Sequence, residues 1–348
     1  MKKGFALVMA SMMALSLTAC GGNGSSATTA ADTSAADTKA EGTTAAAPAD
    51  KIGLAGSGKE LIFTTGGDQG TYYGFGSVLA GQISDMTDTT VTAIVGKGSK
   101  GNIEAMDAGD AQLGFVQSDV MAYAYNGTNL FDGAKVDGFS TVAALYMEQV
   151  QIVTLNPDIK TVADLKGKTV SVGDSGSGVY FNALDCLGAY GLTIDDITPT
   201  YQSFGDSVEA MQDGKIDAAF IVAGAPTTAV TSLAATRKVY LVELDDEHID
   251  KLIEASPYYS KYTIAKDAYG LDADATTVAV GAVVVARDDV DENDIYNVVA
   301  GIYDSIDTLG HDKKNELDLD FAASVTAVPY HAGAAKYFAE KGLTVPTK

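Results

Sequence analysis

The sequence predicts an α/β fold in two lobes with a cleft between them. Three observations carry this reading. From Leu61 onward, short apolar strands alternate with helical stretches at the spacing of βα units. The scheme then occurs twice: Gly67-Asp68-x-Gly70-Thr71 is echoed 106 residues later by Gly173-Asp174-x-Gly176-Ser177. The run from Ala105-Met106 through Gly109 to Phe115-Val116 is echoed 105 residues later by Ala210-Met211, Gly214 and Phe220-Ile221. Finally, two extended crossings join the halves, one made of the runs Thr141–Tyr146 and Val150–Leu155 and the other of Thr277–Val285. Two crossings between two α/β lobes make a hinge, and clefts between lobes are where small ligands bind.

The elements follow in order. Leu61–Thr65 is the first strand, Gly66–Thr71 a glycine loop, and Tyr72 to about Ser84 a helix. Val91–Val95 is the second strand, Gly96–Gly101 another glycine loop, and Asn102–Ala108 a helix leading to the strand Leu113–Val116. In the second half, Thr169–Val172 is a strand, Gly173–Ser177 a glycine loop and Val179–Tyr190 a helix. Glu292–Thr308 and Ala332–Lys341 are helical and return to the first lobe.

The chain has 348 residues, with 23 basic and 46 acidic side chains and a formal charge of −23. That length holds a sizeable core. Such acidity argues against backbone-driven nucleic-acid binding, which needs clustered cations. It equally argues against docking on anionic lipid through a basic patch.

The chain starts with Lys2-Lys3, an apolar stretch from Phe5 to Leu17, and Leu17-Thr18-Ala19-Cys20. This is the order of a lipoprotein leader: a charged start, an apolar run too short to span a bilayer, small residues, then cysteine. Residues 1–19 are therefore expected to be removed and Cys20 to be lipidated. The loss of two lysines and no acid leaves a charge of −25. Residues 20–58 are Ala/Thr/Ser/Gly-rich, with Ile52 and Leu54 the only large apolar side chains. They read as a disordered tether reaching on the order of 35 Å. Lobe I is expected over 59–148 and 278–348, and lobe II over 149–277. Cys186, a lone thiol in a helical run, reads as a small core hydrophobe.

Several motifs come close to known chemistry. Gly53–Glu60 resembles a phosphate-binding loop, but Glu60 replaces the required hydroxyl and the strand follows the loop. Gly96-Lys97-Gly98-Ser99-Lys100-Gly101 matches the dinucleotide pattern, but in the second βα unit rather than the first. Gly173-Asp174-Ser175-Gly176-Ser177 is like a serine-protease nucleophile loop. Its fold context is α/β, however, and His248, His311 and His331 all follow it. No metal or other cofactor is expected. In both halves, glycines let a ligand approach backbone amides that are unpaired at a helix start. With the helix dipole this makes an anion site without Arg or Lys. The two arginines, Arg237 and Arg287, lie outside the glycine loops. Ser99 and Asn102 read as hydrogen-bonding groups aimed into the cleft. Tyr72, Tyr73, Tyr123, Tyr125 and Tyr146 offer flat faces with one hydroxyl.

An ordered series of motifs over Glu60–Leu343 is similar to the TAXI-type solute receptors of TRAP transporters. It runs through Thr65-Gly66-Gly67, Gly70-Thr71-Tyr72-Tyr73, Gly98-Ser99 with Asn102, and Leu113–Val120. It continues with Leu145-Tyr146 and Glu148, Gly176-Ser177-Gly178, Asp213–Ala218, Gly224-Ala225-Pro226 and His331–Ala334. The resemblance implies a two-lobed periplasmic-binding-protein (type II-like) fold. It also implies a non-enzymatic, monomeric, extracytoplasmic receptor that hands a small carboxylate to a TRAP permease. Carried over by position, ligand contacts fall at Gly67, Tyr72, Tyr73, Ser99, Asn102, Gln117, Ser118, Ser175, Gly176, Ser177, Gly178, Ala225 and Pro226. Gly74 and Met147 stand where many members have proline. Asp68 and Gln69 replace small residues; Asp68 is either a capping group or faces the cleft, where it favours a ligand carrying an amine. Two alternatives remain beside transport: a sensor subunit for a membrane signalling partner, and a surface hydrolase using Ser175 or Ser177.

Overall fold

The computed structural model describes residues 51–348; the expected leader, Cys20 and most of the expected tether lie outside them. Lobe I begins with β1 (Glu60–Thr64), α1 (Thr71–Met86), β2 (Thr90–Ile94), α2 (Ser99–Asp107), β3 (Leu113–Gln117) and α3 (Ser118–Asn126). Then β4 (Phe139–Thr154) carries the chain into the second half. That half contains β5 (Thr169–Ser171), α4 (Val179–Ala189), β6 (Thr198–Thr200), α5 (Phe204–Gln212), β7 (Ala218–Ala223) and α6 (Thr228–Ala234). It closes with β8 (Tyr240–Leu241), α7 (Asp246–Ala255) and β9 (Ser260–Ile264). The strand β10 (Ala275–Arg287) returns the chain, followed by α8 (Glu292–Tyr303), α9 (Leu319–Ala322) and α10 (Ala332–Glu340). No helix among the described residues is long and apolar enough to cross a membrane.

The sheet order is β2-β1-β3-β10-β4-β7-β5-β6. β1, β2 and β3 are parallel, as are β5, β6 and β7. The two long strands, β4 and β10, run antiparallel to each other through the middle. Late β10 (Ala282–Ala286) pairs with β3, and late β4 (Gln149–Thr154) pairs with β7. Each long strand therefore serves both halves, and the fold is the two-lobed periplasmic-binding-protein arrangement with two crossings. β4 is one continuous strand, where the sequence suggested two segments. The polar Glu148 and Gln149 interrupt the apolar run in the sequence, but both are buried within the strand, which stays covered on both faces along nearly its whole length.

Helices cover both faces of each half-sheet. In lobe I, α1, α8 and α10 pack on one face around Phe63, Phe75, Phe115 and Tyr337, and α2 and α3 cover the other through Ile103, Met106 and Val120. In lobe II, α4 and α7 bury Cys186, Leu187 and Leu252 on one face, while α5 and α6 bury Met211 and Val230 on the other. The internal echo is visible in the helix ends. After α2, Gly109 N–H bonds Met106 O at 3.0 Å and Asp110 N–H bonds Ala105 O at 2.8 Å. After α5, Gly214 and Lys215 make the same two bonds to Met211 and Ala210, at 3.1 and 2.8 Å. Both glycines have positive φ, 88° and 70°. This is the left-handed stop that satisfies a helix's last carbonyls.

Two sequence expectations are corrected here. The tether was drawn through Gly58, but the chain is docked from Ile52. Ile52 N–H bonds Met86 O at 2.8 Å, and Asn297 of α8 brackets Leu54 with bonds of 2.6 and 2.8 Å. The two apolar residues in the otherwise polar segment mark this anchorage. The helix from Glu292 stops at Tyr303 rather than Thr308 because Ser305 Oγ bonds Gly301 O at 2.6 Å, a side-chain bond that competes with the helical ladder.

Candidate functional site

The carboxyl ends of the parallel strands in both lobes face each other, and the loops leaving them carry the glycines. Three helices open there without a side-chain cap: α1 after Gly70, α2 after Gly98 and α4 after Gly178. The first two amides of each lie at the cavity in the way that favours an anionic group, while the third amide of α2, Gly101 N–H, is taken by Gly176 O and that of α4, Phe181 N–H, by Gly178 O. In contrast, α5 opens beside them with Ser203 accepting from Asp206 N–H at 3.1 Å.

Between the lobes lies a cavity of about 90 Å³. Lobe I lines it with Gly66–Tyr72, Gly96–Ser99, Gln117 and Glu148. Lobe II contributes Asp174, Ser177–Val179, Gln202–Gly205, Val222 and Ala223. The lobes are closed on it. Gly101 N–H bonds Gly176 O at 2.8 Å, Thr71 Oγ1 donates to Gly224 O at 2.8 Å, and Gln117 Nε2 donates to Asn182 Oδ1 at 3.0 Å. Glycine is required at these contacts. Gly98 has φ +85° and its absent Cβ would lie 3.3 Å from Ser177, while a Cβ on Gly178 would overlap Gln117 Oε1. Lys97 is the one cation in the lining, against Asp68, Asp174 and Glu148.

The floor is aromatic and acidic. Tyr72 stacks on Phe115 with ring centroids 4.5 Å apart, and its hydroxyl donates to Glu148 Oε2 at 3.1 Å. Burial pushes the Glu148 carboxyl up to about 8, against the opposing effect of the Tyr72 bond. Burial likewise raises the Tyr72 and Tyr146 hydroxyls well above the usual phenol range. Two buried atoms of this floor, Gln117 Oε1 and Tyr146 Oη, have no protein partner. Behind it, Asn182 Nδ2 donates to Asp119 Oδ2 at 3.0 Å and to Tyr259 Oη at 2.8 Å. Burial pushes Asp119 up to about 7.

Of the residues expected to touch ligand, Gly67, Tyr72, Ser99, Gln117, Ser177 and Gly178 meet in this cavity. The others are placed elsewhere. Asn102, expected to aim into the cleft, lies beneath it. Its Nδ2 donates to Thr65 O and Phe115 O, both at 2.7 Å, and its Oδ1 accepts from Thr64 Oγ1 at 2.9 Å, so the side chain ties α2 to β1 and β3. Ser118 Oγ accepts from Gly281 N–H at 3.0 Å. Tyr73 lies further along α1, outside the lining, and Ser175 is exposed. Gly176 holds the lobe-to-lobe bond to Gly101. Ala225 and Pro226 line a separate surface hollow with His311 and Lys313. Tyr123 stacks on Phe181 and Tyr125 packs against Phe139, both away from the cavity.

Sequence reasoning missed Lys97, Gln202, Phe204 and, above all, Glu148 as cavity residues. A usable signal existed for Glu148: Glu148, Gln149 and Gln151 are polar residues inside an otherwise apolar strand, and such groups are buried only where something satisfies them. It also missed Lys313. This lysine is 4% exposed, its Nζ donates to Ala225 O at 2.9 Å and pairs with Glu316, and it sits 5.2 Å from the Tyr146 ring centroid. Arg287 pairs with Asp289 on the outside of lobe I.

The chain belongs to the NMT1-like family, whose sequence model matches residues 63–342. A protein of Escherichia coli (strain K12), named as binding aliphatic sulfonates, is 43% identical over 70 residues, which are 20% of this chain and 22% of that protein. The match thus spans about a fifth of the relative's length. Among solved structures, the alkanesulfonate-binding protein of Xanthomonas axonopodis pv. citri bound to MOPS is 17% identical with a TM-score of 0.47. It covers 80% of this chain and 83% of its own. The substrate-binding protein of an amino acid ABC transporter is 13% identical with a TM-score of 0.47, covering 74% of this chain and 97% of its own.

Proposed function

We propose that this protein is an extracytoplasmic solute receptor of the TAXI type, which captures a small organic acid and delivers it to a TRAP permease. The observation that carries the reading is the closed interlobe cavity, onto which three uncapped helix starts converge while only one side-chain cation lines it. Backbone amides supply the positive end without the desolvation cost of a buried arginine. Asp68 and Asp174 at the wall suit an ammonium group, so a zwitterion such as L-glutamate fits better than a dianion. The names of the relatives, which concern sulfonates and amino acids, agree with capture of a compact acid. The moving parts are lobe I (59–148 with 278–348) and lobe II (149–277). Lipidation at Cys20 holds the receptor at the outer membrane face.

A hydrolase is disfavoured by the site. Ser177 Oγ donates to Asp174 O at 2.7 Å, and His248, His311 and His331 all lie outside the cavity lining. The test is a thermal-shift and equilibrium-dialysis screen of L-glutamate, succinate, 2-oxo acids and short alkanesulfonates. A carboxylate should stabilise the protein in proportion to the logarithm of its concentration and be recovered unchanged. Stabilisation by a sulfonate alone, or by none of these, would overturn the carboxylate assignment.

A further inference from the structure

We propose that Glu148 is a specificity-determining residue of the cavity, present there as the uncharged acid and giving its hydrogen bond to an oxygen of the bound solute's acid group. This deepens the organic-acid reading above and rests on it. The geometry is the argument. Glu148 sits on β4, 1% exposed, yet lines the cavity floor. Its well-formed hydrogen bond comes from Tyr72, which occupies Oε2, and Gln117 and Tyr146 lie close enough to interact with it as well. A buried carboxylate with few neutral donors and no bonded cation is costly, and the protonated form avoids that cost.

The groups around it agree. Across β10 its partner is Val280, which has no charge to offer. From α3, Asp119 adds a like charge, and from α1 and β4 come only the tyrosines 72 and 146. The nearby cation is Lys313, but its ammonium is already shared between Ala225 O and Glu316. Lys97, at the cavity wall, belongs to the loop between β2 and α2 and makes no bond to Glu148 among the described residues. With its proton, Glu148 presents a donor to the solute beside the helix-start amides. Without it, the site would set a carboxylate against a carboxylate. The raised proton affinity of Glu148 is consistent with this role.

The consequence is a pH-dependent affinity of definite sign. Binding is strongest where Glu148 is protonated. It weakens as pH rises through its titration, approaching tenfold per pH unit beyond it. The probes are succinate, largely ionised at pH 6.5 and fully so through the titration of Glu148, and L-glutamate, with affinities measured by calorimetry from pH 6.5 to 9.5. Wild-type protein should lose affinity as the pH climbs above 8. E148Q keeps a donor and cannot titrate, so its affinity should be flat across this range. E148A should bind weakly throughout. Difference infrared spectra of ligand-free wild type against E148Q should show a protonated carboxyl at pH 6.5 that disappears by pH 9.5, a readout that needs neither ligand nor activity. Absence of that band overturns the proposal. A bound acid with a pH-flat wild-type affinity overturns the donation alone. Failure of both probes to bind, with the band present, overturns the organic-acid reading and the donation with it.

Discussion

Asn102 and Glu148 show how two buried polar side chains in the same neighbourhood do different things. Asn102 satisfies two buried carbonyls that would otherwise be orphaned, Thr65 O and Phe115 O. Leaving such groups unpaired costs about 1–3 kcal/mol each. We expect Asn102→Ala to lose about 2–4 kcal/mol of stability in chemical denaturation, with ligand affinity nearly unchanged when measured well below the melting temperature. Glu148 and Asp119 are instead buried acids whose carboxyls burial pushes up to about 8 and about 7. In the unfolded chain both ionise near pH 4 to 4.5. The native state therefore binds more protons between those values, and stability falls as pH rises from about 4.5 to 8. Denaturation at pH 5 and pH 8 should show this decline in the wild type. Glu148→Gln should shrink it, and an equal decline in the variant would assign the effect to other groups.

At the scale of elements, the glycine loops act as contact surfaces as well as anion-binding turns. Gly178 has an ordinary helical backbone, φ −69°, so alanine is locally acceptable there. A Cβ would nevertheless meet Gln117 Oε1 across the lobe boundary. Gly178→Ala is expected to leave the open protein folded, with little change in its melting temperature, and to weaken capture of L-glutamate by a hundredfold or more, because closure needs that space. A variant whose ligand-induced thermal shift equals the wild type's would show that closure tolerates the methyl. The strand-loop-helix units and their echo were legible in the sequence because glycine punctuation and apolar runs are local signals. The Ala105-Met106-x-x-Gly109 and Ala210-Met211-x-x-Gly214 pattern even encodes the same helix stop twice. Half of the expected contacts were not legible as such. Whether Asn102 or Ser118 faces ligand or framework depends on carbonyls and amides brought from strands distant in the chain. Lys313 was invisible for the same reason: it reaches the back of the cleft from a segment between α8 and α9.

For the whole molecule, the proposed capture of an acid has to be reconciled with a charge of −23. Local and global fields act at different ranges. The helix-start amides act within the closed cavity, from which bulk solvent and its ions are largely excluded. The net charge acts on the approaching solute over a Debye length, about 30 Å at 0.01 M salt and about 8 Å at 0.15 M. An anionic solute is therefore repelled on approach and held on arrival. Raising salt should screen the repulsion before it touches the bonds inside. Stopped-flow tyrosine emission suits the measurement, since the chain has 17 tyrosines and no tryptophan and Tyr72 lies in the floor. The association rate of L-glutamate should rise between 0.01 and 0.15 M salt, while its dissociation rate changes little. L-Glutamine, with no net charge, serves as the control and should show a flat association rate if it binds. An association rate for L-glutamate that falls with salt would mean that the positive end of the cleft, with Lys97 at its wall, governs approach as well as binding.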